Sequence, residues 1–184
     1  SLTNNIFEES GILLEDSNNQ IISNNNISES SESGIKIYKS SSDNYFSSNI
    51  ITDSDDEDIY IGGSGYQRNN RGYDNTFTTI EVQNNGQFIL MDYVSVKTEN
   101  SEGNMSGNDV KAEYNSEIFY ASEYFEGTDP VTDDFGNIPS FLAPIEEYNG
   151  SSSPDEILTT ITVRYVDWIY SSLMEASDNT YLTV

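Results

Sequence analysis

The chain has 184 residues, with 32 Asp and Glu against seven Lys and Arg, and a net charge of −25. That balance excludes nucleic acid and anionic membrane surfaces as partners, because both need clustered cations. There is no His and no Cys, which removes thiol nucleophiles, Ser-His-Asp triads, the usual zinc sites and histidine acid/base work.

Hydrophobic residues make up 35% of the chain, yet 12% of it is aromatic and 13 residues are Tyr. The chain is too aromatic for full disorder and too polar for a large core of its own. Burial is therefore expected to be completed by neighbouring subunits. Residues 1 to 58 read as an extended Ser/Asn-rich N-terminal arm. Its apolar pieces, Ile12-Leu13-Leu14, Ile21-Ile22, Ile35-Lys36-Ile37-Tyr38 and Ile50-Ile51, are each too short to build a core. They suit brief strands laid on another surface.

Within the arm, Gly11-Ile12-Leu13-Leu14-Glu15-Asp16-Ser17-Asn18-Asn19-Gln20-Ile21-Ile22 resembles segments of tailed-phage virion structural proteins. That resemblance covers about a dozen residues and implies a structural virion component, with no catalytic residue to carry over.

Asp53-Ser54-Asp55-Asp56-Glu57-Asp58 offers carboxylate oxygens to Ca²⁺. It lacks the alternating ligands and central Gly of an EF-hand, and otherwise reads as a solvated, self-repelling loop. Ile61-Gly62-Gly63-Ser64-Gly65-Tyr66 has no Lys and no following helix to make a phosphate loop, so it reads as a flexible turn. Arg68 and Arg71 either meet acidic groups on a neighbouring copy or pair internally.

The body is expected over 59–184. Thr76 to Val96 reads as a β-hairpin: Ile80 and Val82 share one face, and Asn84-Asn85-Gly86 supplies the positive φ of a tight turn. Val110 to Phe125 alternates over enough residues to favour one long antiparallel strand or two strands over a helix, which its Glu, Ala and Lys would also allow. In the loop from Glu126 to Pro144, three carboxylates (Asp129, Asp133 and Asp134), with the Asn137 amide, are candidate calcium ligands. An Asx-stabilised turn is the other reading of that loop.

A C-terminal amphipathic helix is predicted over about 153–176. Ser153 is its N-cap, Pro154 its first residue, and Leu158, Ile161, Tyr165, Trp168, Ile169 and Leu173 form its apolar stripe. Ser177-Asp178-Asn179 ends it, and Thr180 to Val184 adds an edge strand.

The expected fold is α+β or mainly β, with antiparallel strands, one C-terminal amphipathic helix and an extended N-terminal arm. The expected function is a non-enzymatic structural subunit of a large assembly: a tailed-phage virion component at the neck, tail or capsid. An extracellular cell-surface or filament subunit is the first alternative, and a calcium-dependent binding module the second. No catalytic residue and no cofactor is assigned. The expected partners are protein subunits of the same assembly, including other copies of this chain, with no nucleic acid and no membrane.

Overall fold

The computed structural model of the chain describes residues 1–175 and 180–183. The chain forms two compact units: Ser1–Met91 with Glu146–Asp155, and Asp92–Ile145 with Glu156–Val184.

The first unit is a β-solenoid. Its strands are β1 (Leu2–Thr3), β2 (Ile6–Glu8), β3 (Ile12–Glu15), β4 (Ile21–Ser23), β5 (Asn26–Ser28), β6 (Ile35–Tyr38), β7 (Tyr45–Ser47), β8 (Ile50–Thr52), β9 (Ile59–Gly62), β10 (Gln67–Tyr73), β11 (Ile80–Val82) and the start of β12 (Gly86–Val94). Strands of successive coils pair in parallel. β3, β6, β9 and β11 make one wall, so the unit has four rungs there.

Register stacks like on like. Ile12, Ile35, Ile59 and Ile80 form one inward column, and Leu14, Ile37, Ile61 and Val82 the next. On the other walls Ile27 and Ile51, and Ile22 and Phe46, stack the same way. A solenoid buries its apolar positions between neighbouring repeats, so three-residue pieces suffice.

The polar residues have fixed places as well. Asn5, Asn25, Asn49 and Asn75 occupy one corner, at separations of 20, 24 and 26 residues. Each of the first three donates its backbone N–H to the Oδ1 of the next, at 3.0, 3.1 and 3.1 Å. Each Nδ2 does the same, at 3.1, 3.0 and 2.9 Å. Asn44 and Asn70 repeat the device at a second corner. Asn49 and Asn70 are fully buried, so these ladders satisfy groups that would otherwise be costly in the interior.

The residue before each first-ladder Asn turns the chain in the left-handed region: Asn4, Asn24, Ser48 and Asp74 have φ of 59°, 54°, 53° and 53°. Short polar side chains tolerate that conformation best. The Ser/Asn richness of residues 1–58 is thus the composition of solenoid corners and ladders. These residues form coils, not the expected extended arm.

The second unit contains β13 (Val96–Asn100), β14 (Gly103–Asn104), β15 (Asp109–Tyr114), β16 (Glu117–Ala121), the start of β17 (Phe141–Asn149), the end of β18 (Asp155–Glu156), β19 (Leu158–Tyr165), β20 (Trp168–Glu175) and β21 (Thr180–Thr183). β16, β15, β19 and β20 make an antiparallel sheet. β13 pairs with β14 and, in parallel, with β21. Val94, Val96, Val110, Ala112, Tyr120, Ile138, Phe141, Ala143, Ile161 and Val163 form its core.

Two further expectations are corrected. Thr76 to Val96 is not a hairpin. Gly86 N–H does donate to the Gln83 carbonyl, but β11 goes on to pair in parallel with β9, and β12 with β10. Ile80 and Val82 find their apolar neighbours one coil back, not across the turn. The C-terminal amphipathic helix is also absent, and the described residues hold no α-helix, only a 3-10 turn at Glu123–Phe125. Thr159 to Val163 is an unbroken β-branched run, whose stiff side chains favour a strand. Thr159, Ile161 and Val163 face inward with 1% exposure or less. The two-residue turn Val166-Asp167 then reverses the chain into β20. The expected helix stop at Ser177-Asp178-Asn179 lies outside the described residues.

Candidate functional site

The outer face of the wall formed by β3, β6 and β9 carries a groove of about 660 Å³. Two outward columns make its floor. One is Leu13, Lys36 and Tyr60; the other is Glu15 and Tyr38. The corner loops make its side, with Glu9, Ser10, Glu32, Asp56 and Glu57.

The lysines are engaged. Lys36 Nζ lies 3.1 Å from Glu32 Oε2 and 5.6 Å from the centre of the Tyr60 ring. Its hydrogen bond to Glu32 holds its pKa above the ordinary value. Lys39 pairs with Glu15. The Glu57 carboxyl is pushed up, first by burial and then by the neighbouring Glu81 carboxyl. Tyr60 is pushed up by burial and by the same Glu81 charge. The site is therefore a polar, net-acidic trough with two half-buried tyrosines on its floor.

Glycine shapes that floor. Gly63 has φ +89°, and a Cβ there would fall 2.0 Å from Tyr38 Cε2 and 2.4 Å from Cδ2. The Tyr38 ring thus lies directly on the Gly63 backbone. Gly63, expected within a flexible turn, is the seat of an aromatic side chain on the preceding coil.

The second unit has a different feature. β20 is the outer strand of its sheet among the described residues. Trp168, Ile169 and Leu173 on it are 67%, 56% and 64% exposed. The sequence places them on the apolar stripe of a helix; instead they stand on a strand that faces solvent on both sides.

The expected calcium ligands have separate structural engagements. Asp129 Oδ2 accepts from Ala121 N–H at 2.8 Å. Asp133 Oδ1 accepts from the N–H groups of Phe135 and Asn137, both at 2.9 Å, closing an Asx-type turn. Asp134 Oδ1 accepts from Ser106 Oγ at 3.1 Å. Among the described residues no group of three or more His, Cys, Asp or Glu is placed to hold a metal ion. In the 53–58 run, Asp58 is buried and accepts from Thr78 N–H at 2.7 Å, while Asp56 and Glu57 line the groove. Arg68 donates to Asn149 Oδ1 and Arg71 to Asn69 Oδ1, both within the first unit.

Sequence reasoning missed the groove, because its floor joins residues a coil apart. The available signal was the repeat itself: Ile12, Ile35 and Ile59 recur together with the Asn ladder.

A family model described as periplasmic copper-binding protein (NosD) matches residues 1–108. No curated protein and no solved structure matches. The tailed-phage resemblance is corrected by this match. The Gly11–Ile22 segment is a solenoid rung and corner, with Ile12, Leu14 and Ile22 inward. The family is described as periplasmic, which places it outside the cytoplasm and not in a virion.

The copper of that description does not fit this chain. Copper(I) prefers thiolate and thioether donors and copper(II) imidazole with oxygen; the chain has neither His nor Cys, and among the described residues no group of three or more Asp or Glu is placed to hold a metal ion. Of its three Met, Met91 is buried in the first unit and Met105 in the second, and the Met174 side chain lies outside the described residues. The match nonetheless covers more than half of the 184 residues and the whole of the first 91-residue solenoid segment, so by sequence and fold, though not by donor set, the chain belongs to the NosD family.

Proposed function

We propose that this chain is a non-enzymatic subunit of an extracellular cell-surface assembly. The solenoid serves as a stiff, acidic spacer, and the second unit joins a second copy of the chain through β20. The observation that carries this reading is the exposed strand itself. A long outer strand with apolar side chains on both faces presents unpaired backbone groups and is a template for another strand. From Trp168 to Met174 it holds no charged residue, so two copies can meet there despite the overall net charge of −25. The family's description as periplasmic supports a place outside the cytoplasm. The absence of His and Cys removes thiol nucleophiles and histidine acid/base chemistry, which fits a structural role.

Light scattering across a concentration series tests the association. The unmodified chain is expected to give a dimer mass or larger, and Ile169→Lys together with Leu173→Lys the mass of one chain. A monomer at every concentration contradicts the reading. So does an oligomer that the two lysines leave intact.

A further inference from the structure

We infer that β20 pairs with β20 of a second copy in antiparallel register about a two-fold axis at Ser171. This rests on the association proposed above and adds its symmetry, its register and its end point, a contact that closes at two copies.

The pairing with β19 decides which edge groups are available. The two-residue turn Val166-Asp167 closes on the Tyr165–Trp168 pair. In a two-residue hairpin that pair is hydrogen-bonded, and hydrogen-bonded and non-hydrogen-bonded pairs alternate from there. Trp168, Tyr170 and Ser172 therefore direct their backbone N–H and C=O groups to β19, while those of Ile169, Ser171 and Leu173 point away from it. Among the described residues no strand pairs with β20 on that side.

The sequence then selects the register. Two identical antiparallel strands are related by a two-fold axis, so a residue before the axis faces the residue equally far after it. The run from Asp167 to Glu175 reads Asp-Trp-Ile-Tyr-Ser-Ser-Leu-Met-Glu. About Ser171 it is nearly symmetric in polarity. Ile169 and Leu173 stand two places away, Trp168 and Met174 three, and the acids Asp167 and Glu175 four. With the axis at Ser171, Ile169 meets the partner's Leu173 on either side of it, and the acids fall at the ends. Cross-strand apolar pairs of this kind stabilise a sheet. An axis at Tyr170 sets Ile169 against the partner's Ser171 and Leu173 against the partner's Asp167. An axis at Ser172 sets Leu173 against the partner's Ser171 and Ile169 against the partner's Glu175. Either shift loses both apolar pairs.

The pairing joins the four-stranded sheets of two copies edge to edge. Because each copy offers the same edge, the contact uses up both and does not propagate into a filament.

The test exploits a chain without Cys, in which an introduced thiol is the only one. Residues opposed in a hydrogen-bonded antiparallel pair have Cα atoms about 5.5 Å apart, within disulfide reach. Mild oxidation of full-length Ser171→Cys is expected to link most of the dimer, read on a non-reducing gel. Ile169→Cys and Leu173→Cys are each expected to stay unlinked alone, because two copies of either site lie roughly 14 Å apart across the axis. The two variants are expected to link to each other once mixed at low concentration and reconcentrated. Light scattering on every variant gives its mass before oxidation. Failure of Ser171→Cys to link while it still scatters as a dimer overturns the register and leaves the association through β20 standing. Linking of either single variant as readily as the mixture does the same. The mass of one chain for the unmodified protein at every concentration overturns both.

Discussion

The two units solve the same shortage of apolar residues in different ways. The solenoid repeats a short apolar rung at every coil and buries polar side chains deliberately, in ladders where each Asn completes the hydrogen bonds of the one before it. The second unit builds an ordinary antiparallel sheet on a ten-residue core and leaves large apolar side chains on its outer strand. In the first, stability is shared among equivalent coils, each in contact with its neighbours. In the second it depends on one core, and the surplus hydrophobic surface is available for association.

The largest expected effect separates the two directly. Asn49→Ala leaves the buried Asn25 backbone N–H and one of its two Nδ2 hydrogens without their acceptor, and removes the Nδ2 donor from the Ile22 carbonyl. Each unsatisfied buried group costs about 1–3 kcal/mol. The solenoid should lose roughly 3 kcal/mol or more in denaturant unfolding, while β15, β16 and β19 keep their hydrogen-exchange protection. Asn5→Ala, whose Oδ1 accepts no ladder hydrogen bond among the described residues, should cost about 1 kcal/mol. Equal losses at the two positions would break the ladder account.

An alkaline titration sharpens the contrast from the other side. Tyr120 is buried in the second unit and donates to the Pro130 carbonyl. Burial first, and the Asp129 charge next, push its pKa from 10.0 up to about 12. The folded state therefore holds this proton more tightly than the unfolded one. The resulting stabilisation is complete below pH 10 and is lost as pH rises to about 12. Stability against pH for the second unit should fall over that window, and Tyr120→Phe should flatten the fall. An unchanged slope in the variant would assign the effect to other groups.

A smaller effect concerns the turn that replaces the expected helix. Val166 sits at φ +54°, a conformation that costs a non-glycine residue about 1–2 kcal/mol. Val166→Gly relieves that strain but frees the unfolded chain, so a net gain of about 0.5–1 kcal/mol in thermal unfolding is expected. In a helix the same change would cost roughly 0.3–0.5 kcal/mol, the gap between Val and Gly in helix propensity, so the sign alone distinguishes the two structures.

Much of this was legible at the level of parts. The alternation over 110–125 becomes β15 and β16, and Asn115 and Ser116 between them take φ of 49° and 65°. What escaped was anything defined by stacking. Ile12-Leu13-Leu14 looks too short to fold until Ile35 and Ile59 are placed above it. Asn25 and Asn49 look like low-complexity filler until they bond to each other. Tyr38 and Gly63 carry no mutual signal in a linear reading, because their contact spans a full coil. The helix was misread for another reason. Leu158, Ile161 and Tyr165 satisfy three- and four-residue steps, but Thr159, Ile161 and Val163 satisfy period two equally well, and the β-branched run decides between them.

The central claim is that residues 1–91 form hydrogen-bonded coils that hold themselves together. Amide hydrogen exchange followed by mass spectrometry tests it most directly, on the isolated chain at low concentration. Peptides covering β4 to β9 are predicted to be protected as strongly as those covering β15 and β19. Exchange of β4 to β9 at the rate of an unfolded chain, with β15 and β19 still protected, would contradict the solenoid and restore the extended arm.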